Sequence, residues 1–246
     1  MRSFPFTAHE DLHAISLGCA GLRQLPPLKN KLWGRVGMSI DNVDRIGLRR
    51  KPKQERSIQR FDLILSAAAE IIAEKGVSAM RMTELAVAAK VPIGSVYQYF
   101  PEKAAIVKAL FDRHASEVQA KTAQVFANVH SLEDALHLIE GMIDWYYDAY
   151  RNDPTYLGVW MGTETDQDLL RLNIDHSNRV ADIFYEAVKR VAPELEAIDM
   201  QARTYLFSHL IGASIRLAVK SEEELALRML GEWKRVIRAS LFSKAS

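Results

Sequence analysis

"PIGSVYQYFPEK", residues 92–103, decides the fold. It packs a proline, a glycine, a serine and two tyrosines into its first eight residues, then adds a second proline, an acid and a lysine. It is too polar for a core and too rich in ordered signals for a loose linker. Pro92 stands where a first-turn proline is tolerated, so "IGSVYQYF" reads as a short helix. Just before it, "TELAVAAK" (83–90) is a second short helix, with Leu85 and Ala88 or Ala89 facing inward, and "VP" breaks it. A longer helix precedes both. From Ser57 onward, Ile58, Phe61, Leu65, Ala68 and Ile72 recur at helical spacing, and Gly76 closes the run in the usual place after a helix. Two short helices joined tightly behind a longer one predict a helix-turn-helix at about 81–100. The second helix of such a unit enters the DNA major groove with its N-terminal residues toward base edges.

That placement accounts for the composition. Gly94 and Ser95 are small and let backbone approach phosphates and bases, while Val96 and Phe100 point back into the three-helix core. Tyr97 and Tyr99 are long and stiff with a hydroxyl at the tip, suited to phosphate oxygens. Lys103 falls in the first turn of a fourth helix that begins at Pro101. A cation there opposes the helix dipole. A phosphate alongside would make both the lysine and the helix N-terminus favourable contacts.

The wider stretch "RMTELAVAAKVPIGSVYQYFPEKAAIV" (81–107) resembles the TetR family of bacterial transcription regulators. The likeness covers residues 57–115 and is carried by "GSVYQYFPEK". It implies an all-α fold: an N-terminal three-helix DNA-binding domain over 57–115, and a ligand-binding and dimerisation domain over 116–246. It implies that Tyr97, Tyr99 and Lys103 meet phosphates and that Ile93, Gly94, Ser95 and Gln98 face bases. Thr83, on the helix before, is placed to touch backbone or an edge base. Two residues depart from the family pattern. Lys90 stands where a glycine is usual, in a turn that favours left-handed backbone. Arg81 stands where a capping Thr or Ser is usual, which makes it a further candidate for phosphate.

Charge follows the same division. Net charge is +1, but residues 49–113 carry twelve Lys/Arg against seven Asp/Glu, and 114–246 carry fourteen against twenty. A basic block joined to an acidic one suits a nucleic-acid module joined to something else. Residues 1–48, with "LPPLKN" and no sustained period, read as a disordered or weakly ordered extension. "LRRKPKQER" (48–56) reads as a basic arm, and Met38 as the natural start of the protein. The single cysteine, Cys19, permits no internal disulfide. Neither a signal peptide nor a membrane span is expected, so the expected location is the cytoplasm.

Beyond the helix-turn-helix the patterns are helical throughout. One helix starts at Ser131, and others are expected at roughly 165–191, 199–220 and 222–242, the last opened by a Ser221–Glu224 capping box. "WYYDAYRNDPTYLGVWMG" (145–162) concentrates aromatic side chains. Some of these must be packing core. Trp145, Tyr146, Tyr150, Tyr156 and Trp160, with Phe184 and Phe207 to complete the wall, are candidates for an apolar pocket holding a small apolar or aromatic effector. Leu206, Leu210, Ala213 and Leu217 form one apolar stripe, and Leu225, Met229, Trp233 and Val236 another. Together they suit a four-helix homodimer interface.

The expected function is a sequence-specific DNA-binding repressor released from double-stranded operator DNA by its effector. Two rivals are an all-α enzyme and a nucleic-acid module that needs no ligand. The enzyme reading needs a nucleophile, an acid–base pair or a cofactor motif. Ser95 lacks the second glycine of G-x-S-x-G, His176 and His209 are isolated, and no cofactor is implied. His130, Asp134 and His137 share a helix face at metal-like spacing, but a solvated helix start explains them more simply.

Overall fold

The computed structural model describes residues 46–49, 54–164, 166–195 and 197–242. Nine helices run through them: α1 (Glu55–Ala79), α2 (Met82–Ala88), α3 (Ile93–Tyr99), α4 (Lys103–Phe126), α5 (Leu132–Asn152), α6 (Pro154–Thr163), α7 (Gln167–Val191), α8 (Ala197–Val219) and α9 (Glu223–Ser240). No strand occurs among the described residues, and no helix among them is long and apolar enough to cross a membrane. The expectations about Cys19, Met38 and residues 50–53 of the basic arm lie outside the described residues.

α1 buries Ile64, Leu65, Ala68, Ile71 and Ile72 as one stripe, while Ile58, read as part of that stripe, is exposed. Gly76 bends the end of α1 with φ 78°, a backbone that glycine adopts without a Cβ penalty. α4 follows the helix-turn-helix as a central shaft. It packs on α1 and α6 near its start and on α7 and α5 further along. α8 lies among α5, α7 and α9. Side chains lock α7 to α8: the Tyr205 hydroxyl donates to Asp182 at 2.7 Å, and the Ser208 hydroxyl to the Ser177 carbonyl at 2.9 Å.

Several boundaries differ from the sequence reading. α4 begins at Lys103, not Pro101. The Ser221–Glu224 capping box does not form: Glu222 is the N-cap without a side-chain bond, and the Ser221 hydroxyl donates back to the Leu217 carbonyl at 3.0 Å. α6 forms a helix of its own inside the aromatic-rich stretch. Its start is written in "NDP": the Asp153 carboxylate accepts from the Thr155 N–H at 2.8 Å, and Pro154 takes the first helical position. The extension also reaches into the fold at its end. Ile46 is buried, Leu48 packs on the core, and the Arg49 N–H donates to the Tyr99 carbonyl at 3.0 Å. The folded unit therefore starts no later than Ile46, inside the stretch read as extension.

Candidate functional site

The turn between α2 and α3 is built from backbone hydrogen bonds. The Val91 N–H donates to the Ala86 carbonyl at 3.0 Å and the Lys90 N–H to the Val87 carbonyl at 3.1 Å. This closes α2 with a paired C-terminal cap whose central residue takes left-handed backbone. That residue is Lys90, at φ 54°. A lysine there costs about 1 kcal/mol relative to glycine. The other departure also shows: Arg81 is the N-cap of α2 and makes no side-chain cap.

α3 then sorts its residues by face. Val96 and Phe100 are fully buried, as expected. Ile93, Gly94, Tyr97 and Gln98 share the exposed face, with Ser95 half-buried beside them and Thr83 exposed on α2. Tyr97 is 41% exposed. Tyr99 departs from the expectation of a phosphate contact, because only 1% of it is exposed. Its ring stands edge-on to Phe61 with centroids 5.7 Å apart, and its hydroxyl donates to the Ser57 carbonyl at 3.4 Å. Two residues after Tyr97 on a helix, it lands on the opposite side. The Lys103 ammonium donates to the carbonyls of Ser78 at 3.2 Å and Val77 at 3.5 Å. The charge that looked misplaced at the start of α4 thus sits against the negative end of α1.

The second feature is a cavity of about 90 Å³ walled by α4, α5, α6, α7, α8 and α9. Tyr146, Tyr150, Trp160, Phe184 and Phe207 line it. Trp145 and Tyr156 do not. Trp145 is half-buried and packs edge-on to Tyr146, while Tyr156 stacks on His114 at 4.0 Å and donates its hydroxyl to Glu117 at 2.7 Å. The aromatic-rich stretch marked only part of the wall. Much of the rest comes from Thr122 and Phe126 on α4, Ile139, Met142 and Ile143 on α5, His176 on α7, and Thr204, Ser208 and Ile215 on α8. The periodicity of those helices shows which residues face inward but not which inward faces stop short of touching.

Burial sets the protonation of the wall. The Tyr146 and Tyr150 hydroxyls are pushed well above the usual phenol range, chiefly by burial. His176 is pushed down to about 4, first by burial and then by Arg179. His176 packs against Trp160, which also meets Phe111 at 4.9 Å.

On the outside, Leu206, Leu210, Ala213, Leu217, Leu225 and Val236 are exposed, with Leu217 at 60%; Met229 and Trp233 are half-buried. Trp233 stacks on the cavity residue Phe207 at 5.5 Å, and its indole N–H is buried without a partner. The metal-like trio makes ordinary helix-start contacts. Asp134 accepts from the His130 N–H at 3.0 Å, and His137 pairs with Glu133. No group of side chains suited to a metal occurs among the described residues.

Two family models match the sequence: "Bacterial regulatory proteins, tetR family" over residues 64–110 and "Tetracyclin repressor-like, C-terminal domain" over 133–245. The chain belongs to the TetR family. Its N-terminal module is a DNA-binding helix-turn-helix, and its C-terminal part is the ligand-binding domain of a transcriptional regulator. Solved structures of transcriptional regulators share the fold. FadR from Bacillus subtilis, solved with stearoyl-CoA, is 16% identical with a TM-score of 0.56, covering 76% of this chain and 100% of its own. The fatty acid degradation regulator FadR from Bacillus halodurans is 15% identical with a TM-score of 0.55, covering 79% and 100%. A TetR regulator from Nitrosomonas europaea is 21% identical with a TM-score of 0.52, covering 74% and 98%. No curated protein matches the sequence.

Proposed function

We propose that this TetR-family regulator is a homodimeric repressor released from operator DNA by a small apolar effector in the cavity. Thr83, Ile93, Gly94, Ser95 and Gln98 face base edges, Tyr97 and Lys103 meet phosphates, and Tyr99 holds α3 from behind. The exposed stripes of α8 and α9 pair two copies. Two recognition helices then read half-sites about one DNA turn apart, roughly 34–36 Å. Such a protein works where the operator is, in the cytoplasm.

One observation supports the switch most directly. α6 carries Trp160 on the cavity wall, and its Gly158 and Gly162 press against Ile72 and Val77 of α1. A ligand that moved Trp160 would therefore push on the first helix of the DNA module. A ligand that binds the DNA-incompetent dimer about 100-fold better shifts the balance by about 2.7 kcal/mol. Reciprocity requires operator DNA to weaken ligand binding by the same factor.

The test is fluorescence anisotropy of duplexes from the DNA upstream of its own gene, against scrambled duplexes of equal length. The expected result is tight, salt-dependent binding to one segment and release by an effector. Equal affinity for all duplexes would reject a sequence-specific regulator. Specific binding that no cavity ligand weakens would favour the ligand-independent module.

A further inference from the structure

The cavity wall contains no Asp, Glu, Lys or Arg among the described residues. A carboxylate, phosphate or ammonium buried there would lose its water shell and meet no charged side chain on the wall; Arg216, which acts on Tyr150 from behind Gly212, is already paired with Glu164 at 3.5 Å. The occupant of such a space is uncharged.

The wall does offer polar groups, and they are unevenly committed. The hydroxyls of Thr122, Thr204 and Ser208 donate to the carbonyls of Val118, Gln201 and Ser177 at 2.8, 2.9 and 2.9 Å. Their protons are spent on helix backbone. Tyr150, Trp160 and His176 differ. They are 6%, 6% and 3% exposed, and their rings adjoin: Tyr150 and Trp160 have centroids 6.1 Å apart, Trp160 and His176 5.2 Å. Among the described residues the Tyr150 hydroxyl, the Trp160 indole N–H and the His176 Nε2 have no hydrogen-bond partner, whereas His176 Nδ1 meets the Gln119 amide nitrogen at 3.0 Å. A donor on Nδ1 leaves the imidazole proton on Nε2. Tyr150, Trp160 and His176, with adjoining rings, therefore bring three donors to the wall of an otherwise largely apolar space, which Ile139, Met142, Ile143 and Ile215 also line. Donors that open onto a cavity without a protein acceptor are available to an occupant that supplies one.

We infer that the effector is an uncharged, mainly hydrocarbon molecule with one carbonyl oxygen, which accepts hydrogen bonds from Tyr150 and Trp160 beside His176. This rests on the ligand-responsive reading above and specifies the chemistry of its ligand. It also separates this protein from a regulator solved with an acyl-CoA, whose phosphates would find no cation on this wall.

Calorimetry on the full-length protein at pH 7.5, with four probes of one carbon skeleton, tests it: 2-octanone, 2-octanol, octanoate and octane. The expected order places the ketone first and octanoate at least about tenfold weaker. Tyr150→Phe, which keeps the ring and removes the donor, should weaken the ketone about tenfold and leave octane unchanged. Trp160→Phe provides a second variant should the first fail to fold. Octanoate binding as well as the ketone, 2-octanol binding better than it, no binding by any probe, or a ketone affinity untouched by both variants would each overturn the assignment. Upstream-DNA binding measured without ligand tests the regulator reading separately, so the two can fail independently.

Discussion

A β-carbon added at Gly162 would lie 2.5 Å from Val77 Cγ2. One turn earlier on the same face of α6, a β-carbon at Gly158 would lie 2.7 Å from Ile72 Cγ2 and 3.0 Å from the Ile72 carbonyl oxygen. Two glycines four residues apart thus bring α6 against α1 more closely than any side chain allows. Val77 is also where Lys103 of α4 docks through the carbonyl, so α1, α4 and α6 meet there. Between the glycines, Trp160 sits on the cavity wall.

Gly162→Ala should push α6 away from α1. Overpacking of this kind costs about 1–3 kcal/mol. The expected outcome is a lower melting temperature and weaker operator binding, with calorimetric affinity for the ligand nearly unchanged. Val77→Ala in the same chain should restore both. If the double variant is no better than the single one, the contact is not the cause.

Tyr97 and Tyr99 should behave oppositely. Tyr99→Ala removes a buried ring and should cost about 3–5 kcal/mol in denaturant unfolding, as large aromatic truncations do. Tyr97→Phe removes one exposed hydroxyl and should leave unfolding unchanged while weakening binding to specific and scrambled DNA alike. A stable Tyr99→Ala protein with selectively lost DNA binding would reverse this assignment.

Stability should fall in acid through His176. Its folded pKa of about 4 lies below the ordinary 6.5. The unfolded chain therefore takes up the proton first as pH falls. The contribution is complete above about pH 6.5, is lost progressively down to about pH 4, and amounts to about 3 kcal/mol at most. His114, also pushed down by burial, acts in the same direction. His176→Gln should flatten the unfolding free energy across that window. An unchanged slope would mean that His176 is not protonated differently in the two states.

Leu217→Glu tests the pairing of copies. The side chain is largely exposed, so a monomer should fold with little loss. Light scattering should show half the wild-type mass, and operator affinity should drop steeply because one half-site reads alone. A dimer of unchanged mass would place the interface elsewhere.

The local signals were legible in the sequence. The strained Lys90 and the missing cap at Arg81 followed from the family resemblance, while the turn at "AAKVP" and the inward Val96 and Phe100 follow from backbone and periodicity over a few residues. So does the all-α class. What sequence could not decide depends on partners far along the chain. Whether Tyr99 faces DNA or core rests on Phe61 and the Ser57 carbonyl, some forty residues earlier. The place of Lys103 rests on where α1 ends. Trp145 and Tyr156 belong to the same aromatic run as Tyr150 and Trp160, yet only the latter two face the cavity. A cavity is a place where helices fail to meet, and that is a property of how they pack together. Periodicity tells a residue which side of its own helix it is on; only the packed neighbours determine what, if anything, waits there.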